Sequence, residues 1–240
     1  MNTAAAIATP PRKEFRDATR VLTSILAPLE KRTLIWLAQR MPRWVNSDHL
    51  TGLALVAMLF AGLSYWMSSV TPVGLVLVVA CLALNWFGDS LDGTLARVRN
   101  HQRPRYGFYV DHVVDAFGAL FLLGGLGLSG HMHPFIALGL LVAYLLLCVE
   151  TFLATFTLGT FTMSYFKVGP TELRILLSIG TLVLLVHPMA TLFGREYRLF
   201  DVGGVVAIAG LLFTLVFATV GNTRTLYRAE PIPRDAQRAA

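Results

Sequence analysis

Six long apolar runs constrain the fold of this 240-residue chain more than any other feature. A helix that crosses the hydrocarbon layer of a membrane needs about 20 predominantly apolar residues. Charged residues make up only 14% of the chain, whereas a soluble domain carries roughly a quarter. The sequence therefore predicts an all-α integral membrane protein with six transmembrane helices in one bundle. The predicted spans are Leu50–Ser69, Pro72–Ala96, Gly107–Leu128, Pro134–Leu158, Thr171–Val186 and Leu199–Gly221.

The fifth span is the shortest, unless it extends to Leu192. Residues 1–14 are predicted to be a disordered N-terminus and residues 229–240 a polar tail, which leaves 46–228 as the six-helix domain. Residues 15–45 carry apolar side chains at helical spacing with basic residues among them. This pattern predicts an interfacial amphipathic helix, or two halves broken near Pro28, on the membrane surface. The alternative is an ordinary helix packed on the bundle.

The distribution of basic residues predicts how the bundle faces the membrane. Of the 20 lysines and arginines, all but Arg195 and Arg198 fall on one side of the predicted spans. Because positively charged loops stay in the cytoplasm, both termini and the Arg97–Tyr106 loop should lie on the cytoplasmic side of the inner membrane. The net charge of +6 follows this topology, and we expect no nucleic-acid partner. Cys81 and Cys148 lie in apolar runs and indicate neither a disulfide nor a zinc site.

Four aspartates interrupt the apolar sequence near the cytoplasmic ends of the second and third spans: Asp89, Asp92, Asp111 and Asp115. Carboxylates within membrane segments are costly, so they indicate function by default. The first two share one helix face with Gly93 and Ala96, and the last two are one turn apart on the next helix. Clustered carboxylate oxygens suit Mg²⁺ or Mn²⁺. Two such ions can hold both sides of an in-line displacement at phosphorus.

The segment Asp89–Asp115 resembles the signature of the CDP-alcohol phosphotransferase (CDP-alcohol phosphatidyltransferase) family. That signature is D-x-x-D-G-x-x-A-R, about eight residues, then G-x-x-x-D-x-x-x-D. All of its fixed residues are present: Asp89, Asp92, Gly93, Ala96, Arg97, Gly107, Asp111 and Asp115. One departure is the gap Val98–Tyr106, which has nine residues. The extra residue falls in a predicted loop, where insertions are tolerated, and it affects the placement of Arg99, Arg103 and Arg105.

The resemblance implies an enzyme of phospholipid biosynthesis that cleaves the diphosphate of a CDP-linked alcohol. The substituted phosphoryl group passes to the hydroxyl of a second alcohol, and CMP is released. The four aspartates would bind two divalent ions, Mg²⁺ or Mn²⁺, and Asp115 would also be the general base. The resemblance further suggests a homodimer. The nucleotide would be held by Gly93, Ala96, Arg97 and Gly107.

The two alcohols are less well specified. D-H-V-V-D at Asp111–Asp115 and G-P-T-E at Gly169–Glu172 are similar to segments of ethanolamine and choline phosphotransferases, which use a soluble CDP-alcohol and a lipid acceptor such as diacylglycerol. The short chain and its basic rim are similar to microbial phosphatidyltransferases, which use CDP-diacylglycerol and a polar acceptor. We favour the second group. Candidate acceptor-binding residues are Arg103, Arg105, Lys167, Glu172 and Arg174, although each basic one also fits the topology pattern alone.

Two other classes bind divalent cations through acidic helices. A membrane prenyltransferase carries two acidic motifs, but they lie far apart in its chain. A non-catalytic divalent-cation transporter needs polar groups along a whole path, and the outer halves of these spans are apolar. Glu150 and His112 are further candidates for substrate contact, and bonding between helices explains each at least as well.

Overall fold

The computed structural model describes residues 19–21, 24–162 and 164–230. Helices dominate these residues, and two small sheets join neighbouring segments. The elements in chain order are β1 (Thr19–Val21), α1 (Ala27–Arg40), α2 (Ser47–Met67), α3 (Val73–Val98), α4 (Pro104–Leu128), α5 (Pro134–Leu158), β2 (Thr160–Thr162), α6 (Pro170–Val183), β3 (Met189–Leu192), β4 (Arg195–Arg198) and α7 (Leu199–Ala229).

Five helices of the described chain are long and apolar enough to cross a membrane: α2, α3, α4, α5 and α7. The predicted all-α membrane class is therefore confirmed, whereas the count of six spans is not. Helix α6 has 14 residues, about 21 Å at 1.5 Å per residue, and it does not extend to Leu192. His187 precedes Pro188, a position that disfavours helix, and Met189–Leu192 instead pairs with β4 as an antiparallel strand.

Helix α6 begins at the depth of the aspartates. Near its N-terminus, Arg174 reaches Asp89 in the last third of α3. Near its C-terminus, the Thr181 and Tyr65 hydroxyls lie 2.6 Å apart, and Tyr65 belongs to the last turns of α2. The helix thus runs from the level of the acidic residues to the opposite end of the bundle.

Within the predicted amphipathic segment 15–45, the structure describes one helix, α1, over Ala27–Arg40, and residues 15–18, 22 and 23 lie outside the described residues. Helix α1 begins at Ala27, because Pro28 fits the first turn of a helix and lacks the N–H that a longer helix would need. Thr19–Val21 forms a parallel pair with β2, a long-range partner that no local pattern reveals. The predicted disordered residues 1–14 and the tail residues 231–240 lie outside the described residues. Helix α7 continues to Ala229.

Helix α1 has one packed face and one exposed face. Leu34 and Ala38 are buried in a cluster with Leu91 and Leu95 of α3, so α1 lies against the end of α3 that carries the signature. Trp36, on the other face, is 53% exposed. This arrangement fits an amphipathic helix, and its position on a membrane surface stays a prediction.

Close backbone contacts hold α3 and α4 against α2. A Cβ added at Gly125 of α4 would lie 2.0 Å from the Gly62 carbonyl oxygen of α2. A Cβ added at Gly88 of α3 would lie 2.5 Å from the Leu50 carbonyl oxygen. Since no side chain fits at either contact, the glycines allow the three helices to approach closely. This packing sets the positions of the two helices that carry the aspartates.

Candidate metal centre

Three of the four predicted aspartates meet where α3 and α4 face each other. Asp89 projects from α3, and Asp111 and Asp115 project from successive turns of α4. One carboxylate oxygen from each lies within 4.8 Å of the others, and all three residues are partly buried. Such oxygens match the ligands that hard divalent cations take. Three close carboxylates would repel one another without a cation, so the donor set fits a divalent metal ion.

Asp92 lies on the α2 side of this group. Its carboxylate accepts a hydrogen bond of 2.5 Å from the Thr51 hydroxyl and a second bond from the Gly93 N–H. The Ser47 hydroxyl also donates to the Asp92 carbonyl, at 2.9 Å. Asp92 nevertheless lies within electrostatic reach of Asp89 and Asp115. Helix α2 therefore orients the fourth aspartate without removing it from the site.

Arg174 of α6 brings a positive charge to the same place. Its guanidinium donates to Asp89 and, through Nε, to the Asn85 side-chain oxygen at 2.8 Å. Asn85 in turn donates to the Ala54 carbonyl of α2, at 3.1 Å. The ion pair is largely buried, with side-chain exposures of 17% for Arg174 and 18% for Asp89. Arg174, one of the five predicted acceptor-binding residues, therefore pairs with a predicted metal ligand.

The predicted nucleotide-binding residues lie mainly on the last turns of α3. A Cβ added at Gly93 would lie 3.4 Å from an Arg97 guanidinium nitrogen, so this arginine lies beside the glycine. Arg97 also donates to the Thr94 hydroxyl at 3.0 Å. Gly107 lies in the first turn of α4, with open space where its side chain would be.

Ala96 lines a polar cleft of about 480 Å³ between the start of α2, the end of α3 and the following loop. The other lining residues are Asn46, Ser47, Asp48, Leu95, Arg99, His101, Gln102 and Arg103. Ser47 belongs both to the cleft and to the hydrogen bonding of Asp92, so the cleft adjoins the acidic group. A polar ligand with phosphates fits this neighbourhood.

Four of the nine residues in the gap of the signature are helical: Val98 ends α3, and Pro104–Tyr106 begin α4. Only residues 99–103 lie between α3 and α4, and Asn100 takes a left-handed conformation with φ 56°, which asparagine tolerates better than most residues. Arg99 donates to the carbonyls of Met41 and Pro42 at 2.9 Å each, and to that of Val45. The loop is thereby attached to the α1–α2 connection.

Arg103 and Glu172, both predicted to bind the acceptor, have partners within the protein. Arg103 pairs with Asp48 and lies 4.1 Å from the centre of the Tyr106 ring. The hydrogen bond to Asp48 raises the pKa of Arg103 further above its ordinary value. The Glu172 carboxylate accepts from the backbone N–H groups of Leu26 and Gly169, at 2.9 and 3.0 Å.

The two remaining acceptor candidates are Lys167 and Arg105. Lys167 sits in a tight turn with φ 65°, and its carbonyl accepts from the Ile25 N–H. Arg105 is exposed in the first turn of α4.

Two other polar residues, His112 and Glu150, contact neighbouring side chains. His112 packs against the rings of Phe108, Phe152 and Phe161, with centroid distances of 4.1, 4.7 and 5.0 Å. Glu150 accepts a hydrogen bond of 2.7 Å from Asn222 of α7. His112 Nδ1 also lies 3.8 Å from a carboxylate oxygen of Asp111, and the second carboxylate oxygen of Glu150 is buried without a hydrogen-bond partner among the described residues.

Several residues that shape the site were not predicted from the sequence. Thr51 holds Asp92, Asn85 holds Arg174, and Ser47 connects α2 to Asp92. Asn85 carries a usable signal, because it lies one turn before Asp89 in an otherwise apolar run. Thr51 carries none, since its role depends on how α2 packs against α3.

Comparison with known proteins agrees with the signature. A search of curated protein sequences gives no match. The model of the CDP-alcohol phosphatidyltransferase family matches residues 44–217, well over half of the chain. The matched region runs from the residue before Val45 into α7 and includes all four aspartates of the signature. The chain therefore belongs to the CDP-alcohol phosphatidyltransferase family.

Proposed function

We propose that the protein transfers a phosphatidyl group from CDP-diacylglycerol to the hydroxyl of a polar acceptor alcohol and releases CMP. The observation that carries this proposal is the meeting of Asp89, Asp111 and Asp115 beside the helix face of Gly93 and Ala96. Family membership makes the chain a transferase of substituted phosphate groups in phospholipid biosynthesis. The donor, the acceptor and the residue roles are our proposal.

The family uses divalent metal, and the carboxylates here suit it. Asp89, Asp111 and Asp115 would hold one Mg²⁺ or Mn²⁺ ion, and Asp92 would contribute to holding a second. When bound, such ions neutralise the diphosphate and the charge that develops on the departing CMP. The low exposure of Asp89 supports this role, because electrostatic interactions are stronger away from water.

Asp115 is the proposed general base. During the transfer, the acceptor oxygen forms a bond to phosphorus, and the bond between that phosphorus and the CMP oxygen breaks. The proton of the acceptor hydroxyl passes to a carboxylate oxygen of Asp115. Asp115 is suited to this role by its place one turn beyond Asp111, further into the bundle.

The nucleotide would be bound by Gly93, Ala96, Arg97 and Gly107. The absence of a side chain at Gly93 lets a phosphate approach α3, and the adjacent Arg97 guanidinium can donate two parallel hydrogen bonds to it. The polar cleft lined by Ala96 has room for the rest of the nucleotide. Arg174 is our preferred residue for the acceptor side, because its guanidinium pairs with Asp89.

The choice of donor depends on weaker observations. Ethanolamine- or choline-phosphotransferase-like activity, with a soluble CDP-alcohol and diacylglycerol, is the alternative. One resemblance that favoured it, G-P-T-E at Gly169–Glu172, has a local explanation: Pro170 starts α6 and Glu172 accepts the Gly169 N–H. The basic residues near the aspartates favour CDP-diacylglycerol with a polar acceptor.

The protein is a multi-pass membrane protein by the length and composition of its helices. We propose that the site faces the cytoplasm, because the basic residues concentrate at that end. The inner-membrane location and the homodimer stay predictions.

The test uses purified protein in detergent with Mg²⁺ or Mn²⁺. One series supplies CDP-diacylglycerol with glycerol phosphate, inositol, inositol phosphate or serine. A second supplies CDP-choline or CDP-ethanolamine with diacylglycerol. We expect CMP release in the first series with one acceptor, and CMP release only in the second would favour the alternative donor.

Asp115→Asn is the matched variant for this assay. It replaces a carboxylate by an amide of the same shape, so the proton acceptor is lost while the packing is kept. We expect CMP release to fall by about 10²–10⁴-fold, the usual range for a general base, with an unchanged thermal unfolding midpoint. Release at the wild-type rate would overturn the role of Asp115.

A further inference from the structure

Glu30 of α1 binds three donors from two other helices. Its Oε1 accepts from the Trp86 indole N–H at 2.7 Å and from the Ser90 hydroxyl at 3.1 Å, both on α3. The same oxygen accepts from the Thr171 hydroxyl of α6 at 2.7 Å. One carboxylate thus joins three elements: α1, α3 and α6.

These donors are next to the buried Asp89–Arg174 pair. Ser90 follows Asp89 in the chain, and Trp86 lies one turn before it on α3. Thr171 lies one turn before Arg174 on α6. Helices α3 and α6 are therefore linked twice at this level, once by the Asp89–Arg174 ion pair and once through Glu30.

Helix α1 is also held in place by contacts other than those of Glu30. The N-terminal end of α1 is held by the Leu26 N–H, which donates to Glu172, and by the Ile25 N–H, which donates to the Lys167 carbonyl. Its C-terminal end is held by Arg99, which binds the Met41 carbonyl. Leu34 and Ala38 pack against α3 between these ends. Since α1 is fixed at both ends, Glu30 is available to fix α3 against α6.

We propose that Glu30 is a positioning residue of the metal centre: it holds the α3 segment that carries Asp89 at a fixed distance from α6. The inference builds on the proposed function, because it assumes that Asp89 binds metal. Hydrogen bonds to a charged acceptor are roughly twice as strong as neutral ones. Losing a partner that orients a metal ligand typically costs 10–100-fold in metal affinity or activity.

The experiment measures Mn²⁺ binding to the purified full chain by electron paramagnetic resonance, with no substrate present. Glu30→Met keeps the length of the side chain but cannot accept the three bonds. We expect its half-saturating Mn²⁺ concentration to rise about tenfold. Glu30→Gln keeps an oxygen acceptor and loses the charge, so it should recover most of that loss. Glu196→Met, an exposed residue of β4, is the matched control and should bind as the wild type does.

Ser90→Ala removes one donor and leaves Glu30 and α1 in place, so it serves if Glu30→Met does not fold. We expect a rise of about threefold, one donor of three being lost. Unchanged Mn²⁺ binding in Glu30→Met or Ser90→Ala, with or without a lower unfolding midpoint, would overturn the proposal.

Asp89→Asn separates the positioning role of Glu30 from the proposed function. If it leaves Mn²⁺ binding intact, the acidic group is not the metal site and the proposed function fails. If it abolishes binding while Glu30→Met and Ser90→Ala leave Mn²⁺ binding unchanged, only the positioning role fails.

Discussion

At the scale of single residues, the aspartates of the signature differ in their partners. Arg174 neutralises Asp89, whereas Thr51 donates to Asp92 from the neighbouring helix. A carboxylate held by a hydroxyl loses rotational freedom, which suits a metal ligand. The environment of each aspartate, rather than the spacing of the signature, therefore distinguishes their roles.

Thr51→Val tests this assignment. The variant keeps the shape of the side chain and removes the bond to Asp92, so the metal concentration for half-maximal CMP release should rise about tenfold. Thr225→Val is the control, because both hydroxyls donate at 3.0 Å to the carbonyl four residues earlier, and Thr225 lies at the end of α7. Equal metal requirements in the two variants would show that Thr51 does not orient Asp92.

At the scale of elements, the bundle depends on how closely α2 and α4 cross. Gly125→Ala would place a methyl group 2.0 Å from the Gly62 carbonyl oxygen, so the helices must separate. Overpacking of this kind costs about 1–3 kcal/mol of stability, and we expect a lower thermal unfolding midpoint in detergent. Gly124→Ala is the control, since no atom lies within 4 Å of its added Cβ. Similar midpoints for the two variants would contradict the close crossing.

Some elements follow from the local sequence, and others depend on contacts with distant segments. Helix α5 matches its predicted bounds, Pro134–Leu158, because a long apolar run between a proline and a glycine has one local solution. The strand at Thr19–Val21 was not predicted, because β1 depends on β2, some 140 positions away. Helix α6 ends before its predicted end because Pro188 disfavours helix in the residue that precedes it. The continuous apolar run had predicted a longer helix.

In the candidate site, too, some features were predicted from the sequence and others were not. The spacing of Asp89, Asp111 and Asp115 predicted that they share a site, and their carboxylates do meet. The bonds of Asp92 to Thr51 and of Asp89 to Arg174 join residues far apart in sequence. Since a single sequence carries the periodicity of each helix but not the register between helices, these partners became evident only in the folded bundle.

At the scale of the whole molecule, the two ends of the bundle differ in chemistry. The end with the acidic group also carries most of the basic residues, whereas the other end has the β3–β4 hairpin and the short turns. His131 lies in the turn between α4 and α5 at this second end, and its Nε2 lies 3.0 Å from the Ser68 hydroxyl. Burial and, to a smaller extent, Arg198 lower the pKa of His131.

This shift predicts how stability depends on pH. Because the pKa of His131 is lower in the folded state than its ordinary 6.5, the unfolded chain takes up the proton more readily. The contribution of His131 to the free energy of unfolding is therefore present above pH 6.5 and is lost as the pH falls through the lower folded-state value. We expect His131→Gln to reduce the fall of the unfolding midpoint between pH 8 and pH 5. The exposed His187→Gln should not, and equal pH dependence in both variants would contradict the assignment.

The contact between Gly62 and Gly125 also limits how this protein can change over evolutionary time. The atoms that an added carbon would meet are main-chain atoms, and no substitution on the facing helix can make main chain smaller. A larger residue at either position therefore has no compensating partner change. We therefore expect both positions to remain glycine, whereas Gly124, one residue away, can be replaced by larger residues.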